Sequence, residues 1–288
     1  MRIGVTGASG FIGSRLVEAL RQLPDVSVSP LTRKSPAAAL DLSDLEPFVR
    51  DKELIFHLGG VNRGSDEEIL LGNVVSTFNL LQAIKKSGNP GTRIVFASSS
   101  QVYKLDRVTA PIKESRSAEP ANLYGLCKKT AEDLVRLSGL PYSVLRLSNV
   151  YGPGCRPNYN SAIATFCDRA VRRQPLTVNG DGRQGRDFIY VDDAVRALVL
   201  AGTRTPKTGA AVFNVSSGKI VALKQVLEQI RRQVPDLRVE YRPAADSGGV
   251  SYCCDNSRFR KTFGWKPRTS LAEGVRNALS WFQERVVP

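Results

Sequence analysis

Tyr124 has a hydroxyl that can give or take a proton, and Lys128, four residues later in the sequence, has an ammonium group. On a helix this spacing places both side chains on one face. Because a nearby ammonium favours the phenolate, we expect Lys128 to lower the pKa of Tyr124 from its usual value of about 10 toward working pH. A tyrosine tuned in this way is a general acid/base for interconverting an alcohol and a ketone. Ser99 ends a predicted strand and can hydrogen-bond the reacting oxygen; without such a serine, the same spacing is typical of an ordinary pair on a helix surface.

A glycine-rich segment, Gly7-Ala8-Ser9-Gly10-Phe11-Ile12-Gly13, joins the first predicted strand to the first predicted helix. Glycines at such a junction let the chain turn tightly and bring backbone N–H groups close to a pyrophosphate at the helix N-terminus. The position of this segment within an α/β pattern therefore indicates a dinucleotide site. The alternative is a tight turn that binds no ligand.

Histidine and cysteine usage argues against several other chemistries. The chain has one histidine, His57, so a histidine-rich metal site is nearly excluded and a Ser-His-Asp triad would depend on that residue. His57 ends a predicted strand, and we interpret it as a structural residue. The five cysteines are odd in number and lack C-x-x-C pairs, so neither a disulfide framework nor a thiolate zinc site is expected. We expect no metal and a reduced, cytoplasmic setting.

The elements that must position these residues follow from hydrophobic periodicity. The predicted strands are Arg2–Thr6, Val26–Leu31, Leu54–Leu58, Arg93–Ala97 and Tyr142–Leu147, and the predicted helices are Phe11–Leu23, Asn73–Lys86, Leu123–Leu137 and Leu271–Phe282. Their alternation predicts an α/β fold with a Rossmann-like, doubly wound parallel sheet. After Tyr151 a cluster of Gly, Pro and Asn marks a change of pattern. We expect a dinucleotide-binding Rossmann domain in residues 1–150 and a smaller C-terminal lobe in residues 151–288, with segments returning to the Rossmann domain.

The net charge of +14 is unevenly distributed along the 288 residues. Residues 1–100 carry a net +1, residues 101–200 a net +5 and residues 201–288 a net +8. Such an excess points to an anionic partner, either nucleic acid, an acidic membrane or a phosphorylated small molecule, or it serves only solubility. Because no block of like charges, no pattern of stacking aromatics and no apolar run of membrane-spanning length occurs, we expect neither a nucleic-acid nor a membrane partner. No signal peptide is expected before the first strand.

The chain resembles the extended branch of the short-chain dehydrogenase/reductase family, which contains nucleotide-sugar epimerases, dehydratases and reductases. The resemblance rests on the G-x-x-G-x-x-G spacing of the glycine segment, His57-Leu58-Gly59-Gly60, Asn73, Ser99 ahead of Val102-Tyr103, Tyr124-x-x-x-Lys128, Arg146–Pro153, Arg186–Asp193 and Gly264-Trp265-Lys266-Pro267. A more local resemblance, carried by residues 57–63 and 155–167, is to the 4-ketoreductase domain of bifunctional capsule-sugar enzymes, whereas Val102-Tyr103 is more typical of epimerases.

The resemblance implies roles for individual residues. Tyr124 would be the acid/base, Lys128 the group that tunes its pKa and holds the ribose, and Ser99 the orienting hydroxyl. The implied dinucleotide contacts are Gly7, Gly10, Phe11, Ile12, Gly13, Asp41, Leu42, Leu58, Gly59, Gly60 and Asn73, together with Tyr124 and Lys128. Asp41 and Leu42 would meet the adenine, and Asn73 would support the backbone of the site.

The end of the second strand bears on which dinucleotide is bound. An NAD-selective site usually has an acid there for the ribose 2′-OH. This chain instead reads Leu31-Thr32-Arg33-Lys34 and has no carboxylate before Asp41. Since an arginine can bind a 2′-phosphate through two hydrogen bonds, we expect Arg33 to favour NADP(H) over NAD. The alternative is that Arg33 and Lys34 are solvated loop residues.

Substrate contacts are implied by the same resemblance. The candidates are Ser100, Gln101, Asn149, Asn158, Tyr159, Asn160, Arg186 and Arg258. Asn149 and Arg186 match positions that contact a nucleotide diphosphate. The family also carries an arginine in a P-x-R-x-G-D stretch that is missing here; the candidates to replace it are Arg242 and Arg258, and the alternative is that both are solvated surface residues. Ser100 and Gln101 replace the acidic pair that commonly follows the serine in dehydratases, which disfavours dehydration.

The residues and the resemblance together favour an NAD(P)-dependent nucleotide-sugar epimerase or 4-ketoreductase, with hydride transfer at sugar C4 and a role in polysaccharide biosynthesis. The expected partner is a nucleotide-diphosphate sugar, and a homodimer is possible. The alternatives are a nucleotide-sugar dehydratase of the same family and a non-catalytic protein that senses a dinucleotide.

Overall fold

The computed structural model describes residues 1–32, 39–86, 91–105, 108, 110–159, 161–204, 210–243 and 251–285. The strands are β1 (Arg2–Thr6), β2 (Ser27–Leu31), β3 (Leu54–His57), β4 (Arg93–Ser99), β5 (Tyr142–Leu147), β6 (Asn149–Tyr151), β7 (Leu176–Asn179), β8 (Gly185–Arg186), β9 (Phe188–Tyr190), β10 (Ala210–Val215), β11 (Val221–Ala222) and β12 (Val239–Arg242). The helices are α1 (Phe11–Arg21), α2 (Leu42–Val49), α3 (Asp66–Leu70), α4 (Ser76–Lys86), α5 (Leu123–Leu137), α6 (Ala162–Val171), α7 (Val191–Thr203), α8 (Leu223–Arg231), α9 (Ser257–Phe263) and α10 (Leu271–Gln283).

A six-stranded parallel sheet forms the centre of the described chain, in the order β10-β5-β4-β3-β1-β2. Helices connect its strands, so the predicted doubly wound α/β fold is confirmed. The five predicted strands are all present, and β10 joins the sheet from the later part of the chain by pairing with β5. The division into two domains stays a prediction.

The core lies on both faces of this sheet. Successive buried residues of β4 alternate between two apolar clusters, with Val95 packing in the cluster that contains Leu16 of α1 and Phe96 in the one that contains Leu45 of α2. This period of two is the geometry of an extended strand, and burial on both faces is typical of parallel sheets. The sheet is therefore a rigid support for groups at the carboxyl ends of its strands.

The segment before α4 departs from the predicted continuous helix Asn73–Lys86. Leu71–Val75 forms a π-helical turn, and a regular helix begins only at Ser76. The Asn73 amide donates to the carbonyl of Ile69, and the Ser76 hydroxyl donates to that of Leu71, so side chains enter the backbone hydrogen-bond ladder. Such insertions widen a helical turn, and π-helical turns are frequent at functional sites.

Later segments form three small two-stranded sheets, in which β6 pairs with β9, β7 with β12 and β8 with β11. Asp187, between β8 and β9, organises this region because its buried carboxylate accepts hydrogen bonds from the backbone of Ser217, Gly218 and Cys254. The five cysteines are all buried and unpaired. Within the described residues, no helix is both long and apolar enough to span a membrane.

Candidate active site

The carboxyl ends of β1, β3 and β4 bring the glycine segment, Leu58-Gly59-Gly60 and Ser99 to the same edge of the sheet. Parallel strands direct their following loops to one edge, which is where ligands bind in open α/β sheets. The hydroxyl of Thr6 accepts a hydrogen bond from the backbone N–H of Gly59 at 3.2 Å, which ties the first two loops together. The sequence-predicted cofactor contacts in these loops are therefore neighbours in the fold.

Gly7 and Gly13 of the glycine segment are packed too closely for a side chain. Gly7 has a φ of +70°, and a Cβ on Gly13 would lie 2.1 Å from the carbonyl oxygen of Gly7. Gly10 is the N-cap residue of α1 and, having no side chain, supplies no cap hydrogen bond to the first turn of that helix. The N–H groups of this turn are thus available to an anion, and the residues present fit the pyrophosphate of a dinucleotide.

Lys128 lies where three of these elements meet. Its ammonium donates to the carbonyl of Ala97 on β4 at 3.0 Å and lies 4.9 Å from the centre of the Phe96 ring. A Cβ on Gly60 would come within 3.0 Å of the Lys128 nitrogen and within 2.7 Å of Asn73 Oδ1. The absence of a side chain at Gly60 therefore leaves space directly beside the ammonium.

Asn73 contributes a buried polar atom to the same space. Its amide nitrogen donates to the carbonyls of Val61 and Ile69 at 2.6 and 2.7 Å, which fixes the orientation of the side chain. The amide oxygen is buried and has no hydrogen-bond partner among the described residues. Because an unsatisfied buried oxygen is unfavourable, this atom indicates a place for a ligand donor, and it supports the assignment of Asn73 to the cofactor site.

Tyr124 lies at the start of α5, and Ser99 hydrogen-bonds to it. Burial raises the pKa of Tyr124 to about 12, and the hydrogen bond from Ser99 acts in the opposite direction. The sequence-based expectation that Lys128 lowers this pKa below its usual value is therefore wrong in direction. Burial also lowers the pKa of Lys128, to about 8, because removal from water disfavours the ammonium.

His57 is structural, as the sequence suggests. Its ring is fully buried, stacks on Phe96, and shares hydrogen bonds with the hydroxyls of Thr6 and Thr77 through its two nitrogens at 2.6 and 2.9 Å. Burial lowers the pKa of His57 to about 3, and the nearby charge of Lys128 acts in the same direction. The ring is therefore neutral at physiological pH and connects β1, β3 and α4 beneath the site.

A buried ion pair lies behind Lys128, one helical turn further along α5. Glu132 forms a bidentate pair with Arg146 of β5, at 2.6 and 3.0 Å, and also accepts a hydrogen bond from Ser98. Arg146 in turn donates to the hydroxyl of Tyr103 at 2.9 Å, and Tyr103 donates to Asn214 of β10. This network joins β4, β5 and β10 to the helix that carries Tyr124 and Lys128.

The structure places the substrate candidates in different surroundings. The Asn149 side chain donates to the backbone carbonyl of Asp187 at 2.9 Å, and the side-chain oxygen of Gln101 accepts from the Asn122 amide at 3.1 Å. Tyr159 lies close enough to Tyr124 to raise its pKa electrostatically. The backbone N–H of Asn158 donates to Thr165. Arg33 and Asn160 lie outside the described residues.

Arg258 and Asp41, which the sequence assigns to the substrate and to the adenine, make contacts within the protein itself. The guanidinium of Arg258 lies 5.2 Å from the centre of the Phe213 ring, against strand β10, and no contact brings it to Asn149 or Arg186 in the described chain. Asp41 caps the N-terminus of α2 by accepting a hydrogen bond from the N–H of Ser43, and Leu42 begins that helix.

Tyr252 is a member of this region that the sequence did not single out. Its hydroxyl accepts from the Asn149 amide at 3.2 Å and is hydrogen-bonded to Ser100, and the Arg186 guanidinium lies 5.6 Å from the centre of its ring. Three substrate candidates thus meet at one buried side chain. No local motif signals this meeting point, because Tyr252 is at least 66 positions away in the sequence from Asn149, Ser100 and Arg186.

Residues 3–216 match the model of the NAD dependent epimerase/dehydratase family. The chain belongs to this family. Among curated members, it is 35% identical over 249 residues to UDP-2-acetamido-2,6-beta-L-arabino-hexul-4-ose reductase from Pseudomonas aeruginosa, covering 83% of this chain and 61% of the relative. It is 30% identical to a UDP-glucose 4-epimerase from Mycolicibacterium smegmatis, covering 99% of each chain.

Solved structures of the family share the whole fold. MoeE5 in complex with UDP-glucose and NAD superposes with a TM-score of 0.86 at 30% identity, covering 100% of each chain. RMD from Pseudomonas aeruginosa complexed with NADPH superposes with a TM-score of 0.86 at 26% identity, covering 99% of each chain. These two similar structures therefore hold NAD and NADPH respectively, and the predicted family, fold class and nucleotide-sugar enzyme class of this chain are confirmed.

Proposed function

We propose that the protein is an NAD(P)-dependent nucleotide-sugar epimerase or 4-ketoreductase that exchanges hydride at sugar C4 with Tyr124 as the acid/base. The observation that carries this proposal is the placement of Tyr124 and Lys128 on one helix at the glycine-lined edge of the sheet, where the Lys128 nitrogen lies 6.0 Å from the centre of the Tyr124 ring. There Lys128 donates to the carbonyl of Ala97 at 3.0 Å, and Ser99 acts on Tyr124. The family membership and the relatives that act on UDP-sugars support it.

The proton chemistry can be assigned to this chain's residues. In the reducing direction the C4 carbonyl becomes an alcohol: hydride adds to carbon, and the Tyr124 hydroxyl gives its proton to the oxygen. In the oxidising direction the tyrosine takes that proton back as hydride leaves. Ser99 would hydrogen-bond the same oxygen, which restrains the sugar against Tyr124 and stabilises the charge that develops there.

The dinucleotide would be held by the loops at the sheet edge. A bound nicotinamide would supply or accept the hydride. The first turn of α1 would hold the pyrophosphate through backbone N–H groups, and Lys128 would donate to the adjoining ribose. The preference for NADP(H) rests on Arg33 in the sequence, and structures similar to this chain carry either NAD or NADPH.

Ser100 and Gln101 bear on the choice of reaction. The Ser100 hydroxyl is engaged with Tyr252 and the Gln101 amide with Asn122. Neither side chain is a strong acid or base, so elimination of water at this position would lack the proton shuttle that dehydratases use. This favours C4 epimerisation or ketone reduction over dehydration.

Turnover of defined UDP-sugars tests the proposal. Purified protein is incubated with UDP-glucose or UDP-N-acetylglucosamine in the presence of NAD⁺ or NADP⁺, and separately with a UDP-4-ketosugar in the presence of NADPH, and products are separated by chromatography and mass spectrometry. An epimerase inverts C4 with no net reduction of the oxidised dinucleotide, whereas a reductase consumes one NADPH per product. Tyr124→Phe should lower kcat by about 10²-fold to 10⁴-fold. Full turnover by this variant would remove Tyr124 from the mechanism.

Cytoplasmic location and a homodimer remain part of the proposal. The five unpaired cysteines are compatible with a reducing compartment. Helices α3, α4 and α5 pack together and expose the large apolar side chains Leu70, Phe78 and Leu126, each about half accessible. Sedimentation of wild type and a Phe78→Glu/Leu126→Glu variant tests whether these helices form a dimer contact, since two buried charges should dissociate it.

A further inference from the structure

Tyr252 connects the residues that face the proposed substrate, although it belongs to a late segment with no recognisable motif. The side chain is 3% exposed. Its hydroxyl meets Asn149 at the start of β6 and Ser100 directly after β4, and its ring lies beside the Arg186 guanidinium of β8. One aromatic residue therefore contacts three separate elements at the edge of the site.

The backbone on both sides of Tyr252 is fixed to the strand that carries Arg186. The Ser251 hydroxyl accepts from the N–H of Gly185 at 2.8 Å, and the N–H of Cys254 donates to the Asp187 carboxylate at 3.1 Å. Gly185 and Asp187 are the two neighbours of Arg186 in sequence. Hydrogen bonds on both sides of Tyr252 and of Arg186 thus fix the ring and the guanidinium relative to each other.

The contacts divide the side chain of Tyr252 into two functional parts. An arginine that lies over an aromatic ring loses rotamer freedom before any anion arrives, and preorganised charge binds phosphate with a smaller entropic penalty. The hydroxyl, by contrast, acts on Ser100, the residue that follows Ser99. Removing the hydroxyl releases Ser100 but leaves the ring in place, and Asn149 keeps its hydrogen bond to the carbonyl of Asp187 at 2.9 Å.

We propose that Tyr252 is a positioning residue for the nucleotide-diphosphate sugar, its ring preorganising Arg186 for the diphosphate and its hydroxyl fixing Ser100 beside the reacting sugar. This inference rests on the proposed function, because Arg186 and Ser100 are assigned to the substrate there. It adds a separation of effects: the ring governs affinity for the diphosphate, and the hydroxyl governs how the sugar is presented to Ser99 and Tyr124.

Two substitutions distinguish these parts. Tyr252→Phe keeps the ring, so UDP should bind as it does to wild type, measured by calorimetry, while kcat for the nucleotide sugar falls about threefold to tenfold, the usual effect of losing one buried hydrogen bond. Tyr252→Leu also removes the ring, so the Kd for UDP should rise about tenfold. Tyr142→Phe, at the opposite edge of the sheet, is the matched control and should change neither quantity.

A double-mutant cycle separates positioning from a loss of local structure. If Tyr252 acts through Arg186, Tyr252→Leu should weaken UDP binding in the wild-type background but cause no further loss in an Arg186→Ala background. Equal losses in both backgrounds, or unchanged UDP affinity in Tyr252→Leu, would overturn the inference while leaving the proposed function intact. A wild-type protein that binds neither UDP nor any nucleotide sugar would overturn both. Circular dichroism and thermal melts establish that each variant is folded.

Discussion

The ammonium nitrogen of Lys128 lies 6.0 Å from the centre of the Tyr124 ring, one helical turn further along α5. Burial acts on both groups in the same sense, since it disfavours the charged form of each and so raises the pKa of Tyr124 to about 12 and lowers that of Lys128 to about 8. The tyrosine is therefore an acid in its resting state, ready to donate a proton. Its ability to act as a base depends on groups that favour the phenolate, of which Ser99 is one.

Ser99→Ala tests that dependence. The hydrogen bond from Ser99 lowers the pKa of Tyr124, so its removal should raise this pKa further and make the phenolate harder to form. Oxidation of a C4 alcohol, which needs the base, should lose about 10-fold to 10³-fold in kcat, and its pH–rate profile should move to higher pH. The profiles of wild type and variant are measured from pH 6 to 10. Unchanged profiles would show that Ser99 does not act on Tyr124.

Gly60→Ala tests whether the space beside Lys128 belongs to the dinucleotide. A Cβ here would meet Asn73 Oδ1 and the Lys128 nitrogen at 2.7 and 3.0 Å, so both side chains must shift. Displacements of this size in a catalytic arrangement can reduce activity by about 10²-fold. We expect weaker NADPH binding, measured by fluorescence titration, and a matching loss of turnover.

Gly139→Ala is the control for that experiment. Gly139 follows α5 with a φ of +78°, and a Cβ there meets no atom within 4 Å. It should lower stability by about 1 kcal/mol through backbone strain while NADPH affinity stays at the wild-type value. Loss of NADPH binding in both variants would attribute the effect of Gly60→Ala to general destabilisation.

How much the sequence could predict depends on whether the signal is local. The bounds of α5 and β5 are those predicted, because their periodicity is strong and Asn122 caps α5 by accepting from the N–H of Gly125. The π-helical turn escaped prediction because it depends on how the Asn73 side chain bonds in three dimensions. The direction of the Tyr124 pKa shift was wrong because spacing reveals the ammonium but not the burial that outweighs it. Tyr252 was missed because all its partners are distant in sequence.

His57 allows a prediction of how the free energy of unfolding depends on pH, because it is the one histidine in the sequence. The pKa of His57 is about 3 in the folded chain and about 6.5 in an unfolded one. Between these two pH values the unfolded state therefore binds a proton at His57 that the folded state does not bind. The stability that the neutral His57 ring contributes to the folded state is fully present above pH 6.5. It is lost as pH falls toward 3, and the free energy of unfolding decreases by up to roughly 1.4 kcal/mol per pH unit. No other histidine titrates between pH 6.5 and 5.

Two measurements check this. The imidazole signals of the one histidine in a two-dimensional NMR spectrum should report a neutral ring from pH 7 down to pH 4. Urea unfolding between pH 7 and 5 should show a free energy of unfolding that decreases with falling pH in wild type and that depends less on pH, by about one proton, in His57→Gln. A ring that titrates near pH 6.5 in the native protein would contradict the prediction.

Among the buried hydrogen bonds behind the site, the ion pair of Glu132 and Arg146 should be the one whose disruption lowers the free energy of unfolding most. Both side chains are nearly inaccessible, at 6% and 8% exposed, and the carboxylate accepts three hydrogen bonds from the guanidinium and one from Ser98. Glu132→Gln leaves the Arg146 charge buried without its counterion, which typically lowers the free energy of unfolding by about 3–5 kcal/mol. Glu228→Gln breaks an exposed pair with Arg232 and should lower it by less than about 1 kcal/mol. Urea denaturation of both variants checks the contrast. A double variant, Glu132→Leu/Arg146→Leu, removes both charges together and should recover part of the loss, because the destabilisation arises from the unpaired charge rather than from the missing bond.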